Sequence, residues 1–151
     1  WWAFWNNERL AEALEWNIRH SIARHLLWKY EVHLEGQGQR GYAPRRSNDT
    51  ERPELEHIAP STEPAARPHG YGTYDETFKG EYLNCLGNYL LLSKPHNCAV
   101  GNIPFSEKLA TYKHTFQQRE IATFVSAGGL WDRDAIQVRH DKIVAALMAE
   151  L

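Results

Sequence analysis

ELEHIAPS, residues 54–61, is the stretch from which the fold is read. Within it LEHIA is a short apolar run with a polar pair inside, stopped by Pro60. A run this short, bounded by turn-forming residues, reads as a β-strand. Adjacent strand residues point to opposite faces. One rigid element therefore aims the carboxylate of Glu56 and the imidazole of His57 at different partners. A second, buried strand is read at NYLLLS, residues 88–93, which Asn88 opens. Two strands are marginal by themselves and must lean on helices.

Helical patterns surround this pair. From Asn7 to Glu35, Leu10, Leu14, Ile18, Ile22, Leu26, Tyr30 and Leu34 recur at every fourth position. A strict period of four drifts around a helix of 3.6 residues per turn, which predicts a bend or break near Ser21. ETFKGEYLNCL, residues 76–86, reads as a short helix. After NYLLLS a loop is expected through His96 and Asn97. A helix then follows over PFSEKLATYKH, with Pro104 at its N-terminus. QREIATFVSAGG reads as a helix closed by Gly128. The last helix starts from the N-cap Asp132 and runs to Leu151, with Ile136, Ile143, Val144 and Leu147 on one face. Residues 36–53 and 61–76 read as long loops. The fold class expected is α+β, mostly helical, as one domain over residues 1–151. Helical support covers 1–35, the strand-bearing core 54–115, and C-terminal helices 116–151.

Composition narrows the class. The 151 residues suffice for one domain with a real core. A hydrophobic fraction of 42% and a charged fraction of 24% are those of a soluble globular protein. No apolar run approaches the ~20 residues that cross a bilayer. The opening WWAFWNN has neither a basic n-region nor a small-residue cleavage site. It also lacks an initiator Met, so a piece of a longer chain is expected, with Trp1, Trp2, Phe4 and Trp5 packing on a neighbouring domain. Cys85 and Cys98 form no CxxC pair, which argues against a cysteine-rich zinc site and suits reduced thiols in a cytoplasmic protein. The net charge of −2 is unlike that of a freestanding nucleic-acid binder, so contact with DNA would need a local patch or help from another domain.

Three segments carry candidate chemistry: ELEHIAPS, LGNYLLLS (residues 86–93) and HNCAVGNIPFSEK (residues 96–108). Asn97 lies nine residues after Asn88. In this the sequence resembles the HNH, or His-Me finger, endonucleases. Their pattern is an acidic residue and His on one strand, an Asn opening the next, and a His or Asn nine residues later. It resembles more closely the C-terminal domain of GmrSD-like modification-dependent (Type IV) restriction enzymes. The matching residues are Glu56-His57-Ile58-Ala59-Pro60, Gly87-Asn88-Tyr89-Leu90-Leu91-Leu92, Asn97, Asn102-Ile103-Pro104-Phe105 with Lys108, and Trp131 with Ile136 and Arg139. Tyr89 stands where that family has Leu, and the loop between the first two motifs is peculiar to this chain.

The resemblance implies a ββα-metal core, its two-stranded hairpin completed by the helix from about Pro104 and wrapped by N- and C-terminal helices. It implies a DNA endonuclease, the cleavage module of a restriction or phage-defence enzyme. Its partners would be DNA, modified or not, and an N-terminal nucleotide-using domain. His57 would be the general base, since imidazole titrates near neutrality. Asn88 would hold strands and loop in register and so orient His57. Glu56 and Asn97 would bind Mg²⁺, or Mn²⁺ in its place, because two oxygen ligands suit a cation that keeps its waters. Lys108, Lys94, Lys113 and Arg139 are candidate phosphate contacts. Arg45 and Arg46 are candidate DNA contacts, and His96 is an alternative ligand one residue short of the spacing. Each residue also has a plain structural reading: a solvated carboxylate, a satisfied core histidine, turn-capping asparagines, solvated lysines. The alternatives are an inactive nucleic-acid or protein-binding module of the same fold, a helical interaction domain in which the motifs coincide by chance, and RNA in place of DNA.

Overall fold

The structure, a computed structural model, describes residues 7–15, 17–37 and 53–150. The aromatic opening, Arg45, Arg46 and most of the 36–53 segment lie outside the described residues.

Helix α1 spans Asn7–Glu15 and α2 spans His20–Gly36. The break predicted near Ser21 falls just before α2 instead. There Ile18 leaves the helical path, is buried, and donates its N–H to Asn84 O at 3.4 Å. Strand β1 (Glu54–His57) pairs antiparallel with β2 (Tyr89–Leu92), Glu54 opposite Leu92, Glu56 opposite Leu90, and His57 opposite Tyr89. Between them run a π-helical turn at Phe78–Tyr82 and a 3₁₀ turn at Leu86–Asn88. Then come α3 (Lys94–Val100), α4 (Phe105–Thr111), α5 (Phe116–Phe124) and α6 (Arg133–Glu150).

Two expectations about helices are corrected. The loop expected through His96 and Asn97 is α3. Ser93 caps it by accepting from His96 N, and Pro95 sits in the first turn, where its missing N–H costs nothing. The helix that directly follows the hairpin is therefore α3, not the one from Pro104. Helix α5 ends at Phe124; Gly128 and Gly129, at φ +82 and +76, belong to the turn that pairs Ser126 with Leu130. The N-cap Asp132 of α6 accepts from Ala135 N at 3.1 Å.

Strand β2 explains the unbroken apolar run of its sequence. Leu90 and Leu92 enter one core with Ile58, Tyr71, Tyr74, Phe78, Phe105, Trp131 and Ile136. Tyr89 and Leu91 enter a second with Leu14, Leu27, Tyr30, Ile143 and Leu147 from α1, α2 and α6. A strand buried on both faces loses the alternation of a half-buried one. The 61–76 loop is irregular but packed: Phe105 N donates to His69 O at 2.8 Å, Trp131 N to Gly70 O at 2.9 Å, and Tyr74 Oη to Pro60 O at 2.8 Å. Among the described residues no helix is long and apolar enough to cross a membrane.

Candidate functional site at the hairpin

The register divides the candidate residues between two faces. Glu54 and Glu56 share a face with Leu92 and Leu90, while Leu55 and His57 share the other with Leu91 and Tyr89.

On the second face, His57 is half-buried at the end of β1. Its Nε2 lies 2.9 Å from Asn84 Oδ1, which also accepts from Tyr89 Oη at 3.2 Å. An amide oxygen only accepts, so Nε2 carries the hydrogen and Nδ1 keeps the lone pair. The ring meets Tyr89 edge-on at 4.9 Å and His20, which opens α2, at 5.8 Å. Burial lowers the His57 pKa below its ordinary value; the bond to Asn84 opposes this and the charges of His20 and Lys108 add to it. The result is a neutral imidazole with one basic nitrogen at physiological pH.

On the first face, Lys108 is fully buried. Its Nζ donates to Glu56 Oε1, to His57 O at 2.9 Å and to Ile58 O at 3.1 Å. Burial pushes the Glu56 carboxyl up and the Lys108 ammonium down, and each is held back by the other's charge. Three acceptors around one nitrogen match the three hydrogens of an ammonium, which favours the ionised pair. Glu56, 7% exposed, is thus closed by Lys108. Asn97, in α3, reaches a different carboxylate: its Nδ2 donates to Glu54 Oε2 at 2.9 Å. Glu54 and Asn97 are both half-buried.

Asn88 is fully buried and links four partners. Its Oδ1 accepts from Ala59 N at 2.9 Å and Trp131 Nε1 at 3.0 Å; its Nδ2 donates to Ala59 O and Leu83 O, both at 3.0 Å. It ties the end of the β1 segment to the start of β2 and to the entry of α6. Arg139, buried in α6, donates through Nη1 to Leu86 O, Gly87 O and Tyr89 O at 3.3, 2.9 and 2.6 Å.

Lys108 and Arg139, expected as phosphate contacts, are both 0% exposed: Lys108 Nζ donates to three protein oxygens, and Arg139 donates through Nη1 to three carbonyls while its Nε and Nη2 have no hydrogen-bond partner. Lys94 and Lys113 are exposed. His96 has its Nε2 2.7 Å from Thr111 Oγ1 and its ring edge-on to His114. The sequence reading missed Glu54, although its two-residue offset from Glu56 places both on one face. It also missed Asn84 and His20, for which no local signal exists.

Among the described residues no cluster of three or more His, Cys, Asp or Glu converges as a metal cage. The oxygen donors that do fit a hydrated Mg²⁺ are Glu54 and Asn97. Among the described residues their one mutual hydrogen bond leaves a carboxylate oxygen and the amide oxygen free, and Mg²⁺ needs only one or two protein ligands. Glu56, the expected ligand beside His57, is held by Lys108 in this structure.

No curated protein and no solved structure matches this chain at a significant level. The family described as GmrSD restriction endonucleases, C-terminal domain, matches residues 5–146. A match over nearly the whole sequence settles the relationship: the chain belongs to the family of GmrSD restriction endonuclease C-terminal domains, nuclease-related modules of enzymes that act on DNA.

Proposed function

We propose that this domain is an HNH-type DNA endonuclease that hydrolyses phosphodiester bonds, with His57 as general base. The observation that carries the reading is the His57 imidazole: neutral, half-buried, its Nε2 committed to Asn84 and its Nδ1 left to accept a proton. His57 Nδ1 takes the proton of an attacking water, and the bond to Asn84 becomes stronger as the ring gains charge. Asn88 fixes the backbone on which His57 stands. A bound Mg²⁺ or Mn²⁺ would stabilise negative charge on the phosphate and the departing oxygen. Glu56 and Asn97 would hold it. Lys94 and Lys113, both exposed, would meet phosphates from solution. DNA, modified or not, is the substrate, delivered by an N-terminal nucleotide-using domain. A cytoplasmic location suits the two free cysteines.

The test is cleavage of modified and unmodified plasmid DNA with Mg²⁺ or Mn²⁺, beside EDTA and His57→Ala, with circular dichroism to check folding. Cleavage should require metal and fall about 10²- to 10⁴-fold in the variant. Equal cleavage by a folded His57→Ala protein would remove His57 from the mechanism. The closure of Glu56 by Lys108 favours one second reading, a DNA-binding module of the same fold without chemistry. DNA binding with no metal-dependent cutting would be its signature.

A further inference from the structure

Hydrolysis of a phosphodiester moves two protons. One leaves the attacking water. The other must reach the departing oxygen, because an alkoxide is too strong a base to leave as such. In-line displacement puts these two oxygens on opposite sides of phosphorus, so one imidazole does not serve both. His57 takes the first proton. The second needs its own donor, exposed and a phosphate's width away.

The titratable groups around the His57 ring offer one such donor. Tyr89 meets the ring edge-on, but it is buried, its hydroxyl donates to Asn84 Oδ1, and burial pushes its pKa up to about 12. Lys108, whose charge also reaches His57, is sealed with its Nζ on three protein oxygens. His20 is exposed. Its ring centroid lies 5.8 Å from that of His57, with the two rings at 71°, and 5.8 Å from that of Tyr89. Imidazole is the side chain that both gives and takes protons near neutrality. The place of His20 is set by the residue that sets His57. Asn84 accepts from His57 Nε2 through its side-chain oxygen at 2.9 Å, and from Ile18 N through its main-chain oxygen at 3.4 Å. Ile18 is buried two residues before His20, and Ala23, in the first turn of α2, is 0% exposed. The start of α2 is thus fixed relative to the His57 ring while the His20 side chain stays open to solvent.

We propose that His20 is the general acid of the reaction, standing across the scissile phosphate from His57 and giving its proton to the departing oxygen. His57 Nδ1 takes a proton from water as the water oxygen bonds to phosphorus. The bond from phosphorus to the departing oxygen breaks, the electron pair stays with that oxygen, and the proton of His20 makes it a hydroxyl. His57 then loses a proton to solvent and His20 regains one.

The inference rests on the nuclease reading, and its test separates the two. A bond that the parent cuts is mapped in a duplex, and the duplex is remade with sulfur in place of the departing oxygen at that bond. A thiolate leaves without a proton. Mn²⁺ is used throughout, since it accepts sulfur more readily than Mg²⁺ does. On the oxygen duplex His20→Ala should cut about 10²- to 10⁴-fold more slowly than the parent, and on the sulfur duplex it should come within about threefold of it. His57→Ala should stay slow on both. His20 is exposed, so its variant should fold, which circular dichroism checks. A parental rate of His20→Ala on the oxygen duplex would overturn the inference. So would an equal loss on both duplexes, which would make His20 a support for His57 and not a proton donor. Sulfur rescue of His20→Ala beside full activity of a folded His57→Ala would sink the base assignment and leave the acid standing. No metal-dependent cutting by the parent would remove the nuclease reading and the inference with it.

Discussion

His140 shows how one buried side chain turns a local bond into a pH dependence. It is 5% exposed, and Gly87 N donates to its Nδ1 at 3.4 Å, so the ring must be neutral to accept. Burial lowers its pKa from the ordinary 6.5; the charges of Asp141 and Glu15 oppose this, and the Arg139 charge adds a smaller lowering. A histidine lowered on folding binds its proton first in the unfolded chain. The stability it contributes is present above about pH 6.5 and is lost as pH falls through the folded value. His57 and His96, also lowered, act with the same sign. Glu31 and Glu56, raised by burial, act oppositely. Urea unfolding of the parent should show stability falling from pH 7 to pH 5, and His140→Gln should flatten that slope; identical slopes would show that His140 is not buried neutral. At this scale the sequence was readable where a residue's type dictates its need. The register-setting role of Asn88 came from the family resemblance, and its amide makes four hydrogen bonds, to Ala59 N, Ala59 O, Leu83 O and Trp131 Nε1. The burial of Lys108 and Arg139 was not legible, because a cation in sequence looks the same whether it meets phosphate or buried protein oxygens.

Among the elements, α6 comes close against the 3₁₀ turn that precedes β2. A Cβ built on Gly87 would stand 2.2 Å from Ile136 O and 2.8 Å from His140 Cβ, so the helix backbone occupies the space of a side chain. This contact, with Arg139 Nη1 holding the turn's carbonyls, sets the place where β2 begins. Gly87→Ala should therefore cost about 3 kcal/mol, the upper end for overpacking, because neither backbone can retreat without moving Asn88. Thermal or urea unfolding would measure it; a cost under about 1 kcal/mol would mean that α6 sits on a softer contact. Sequence patterning found β1, β2, α4 and α6 to within a few residues because each carries a local signal. It missed α3 because a seven-residue helix with Pro95 and one buried residue, Val100, has almost no periodicity to read. It placed the break between α1 and α2 a few residues late, near Ser21, because the stripe of Leu and Ile continues through the break, and only the tertiary docking of Ile18 marks its true place. The opposite placement of His57 and the glutamates followed from alternation, whereas the Glu54–Asn97 pairing depends on how α3 packs on β1.

For the molecule as a whole, charge decides how it can meet DNA. The chain has 17 Lys and Arg against 19 Asp and Glu, and two of those cations, Lys108 and Arg139, are sealed inside. Others are matched by acids at the surface: Arg67 with Glu63, Lys79 with Glu76, Arg133 with Asp75, and Lys142 with Glu120. Exposed Lys94 and Lys113, with Arg19 next to the His20 that meets His57, would be the cations left for phosphates. Each phosphate neutralised contributes about −0.9 to the slope of log K against log salt. Three such contacts predict a slope of roughly −3 for binding of a fluorescent duplex by this domain, measured by anisotropy between low and physiological salt. Lys94→Ala and Lys113→Ala should each make the slope shallower by about one, uniformly across DNA sequences. A slope steeper than about −6 would require a broad basic face that the described residues do not supply, and would place the principal DNA surface elsewhere on the chain. A slope near the expected value, with weak affinity, is what a cutter delivered by another domain requires: enough contact to seat one phosphate beside His57, and too little to hold the duplex alone.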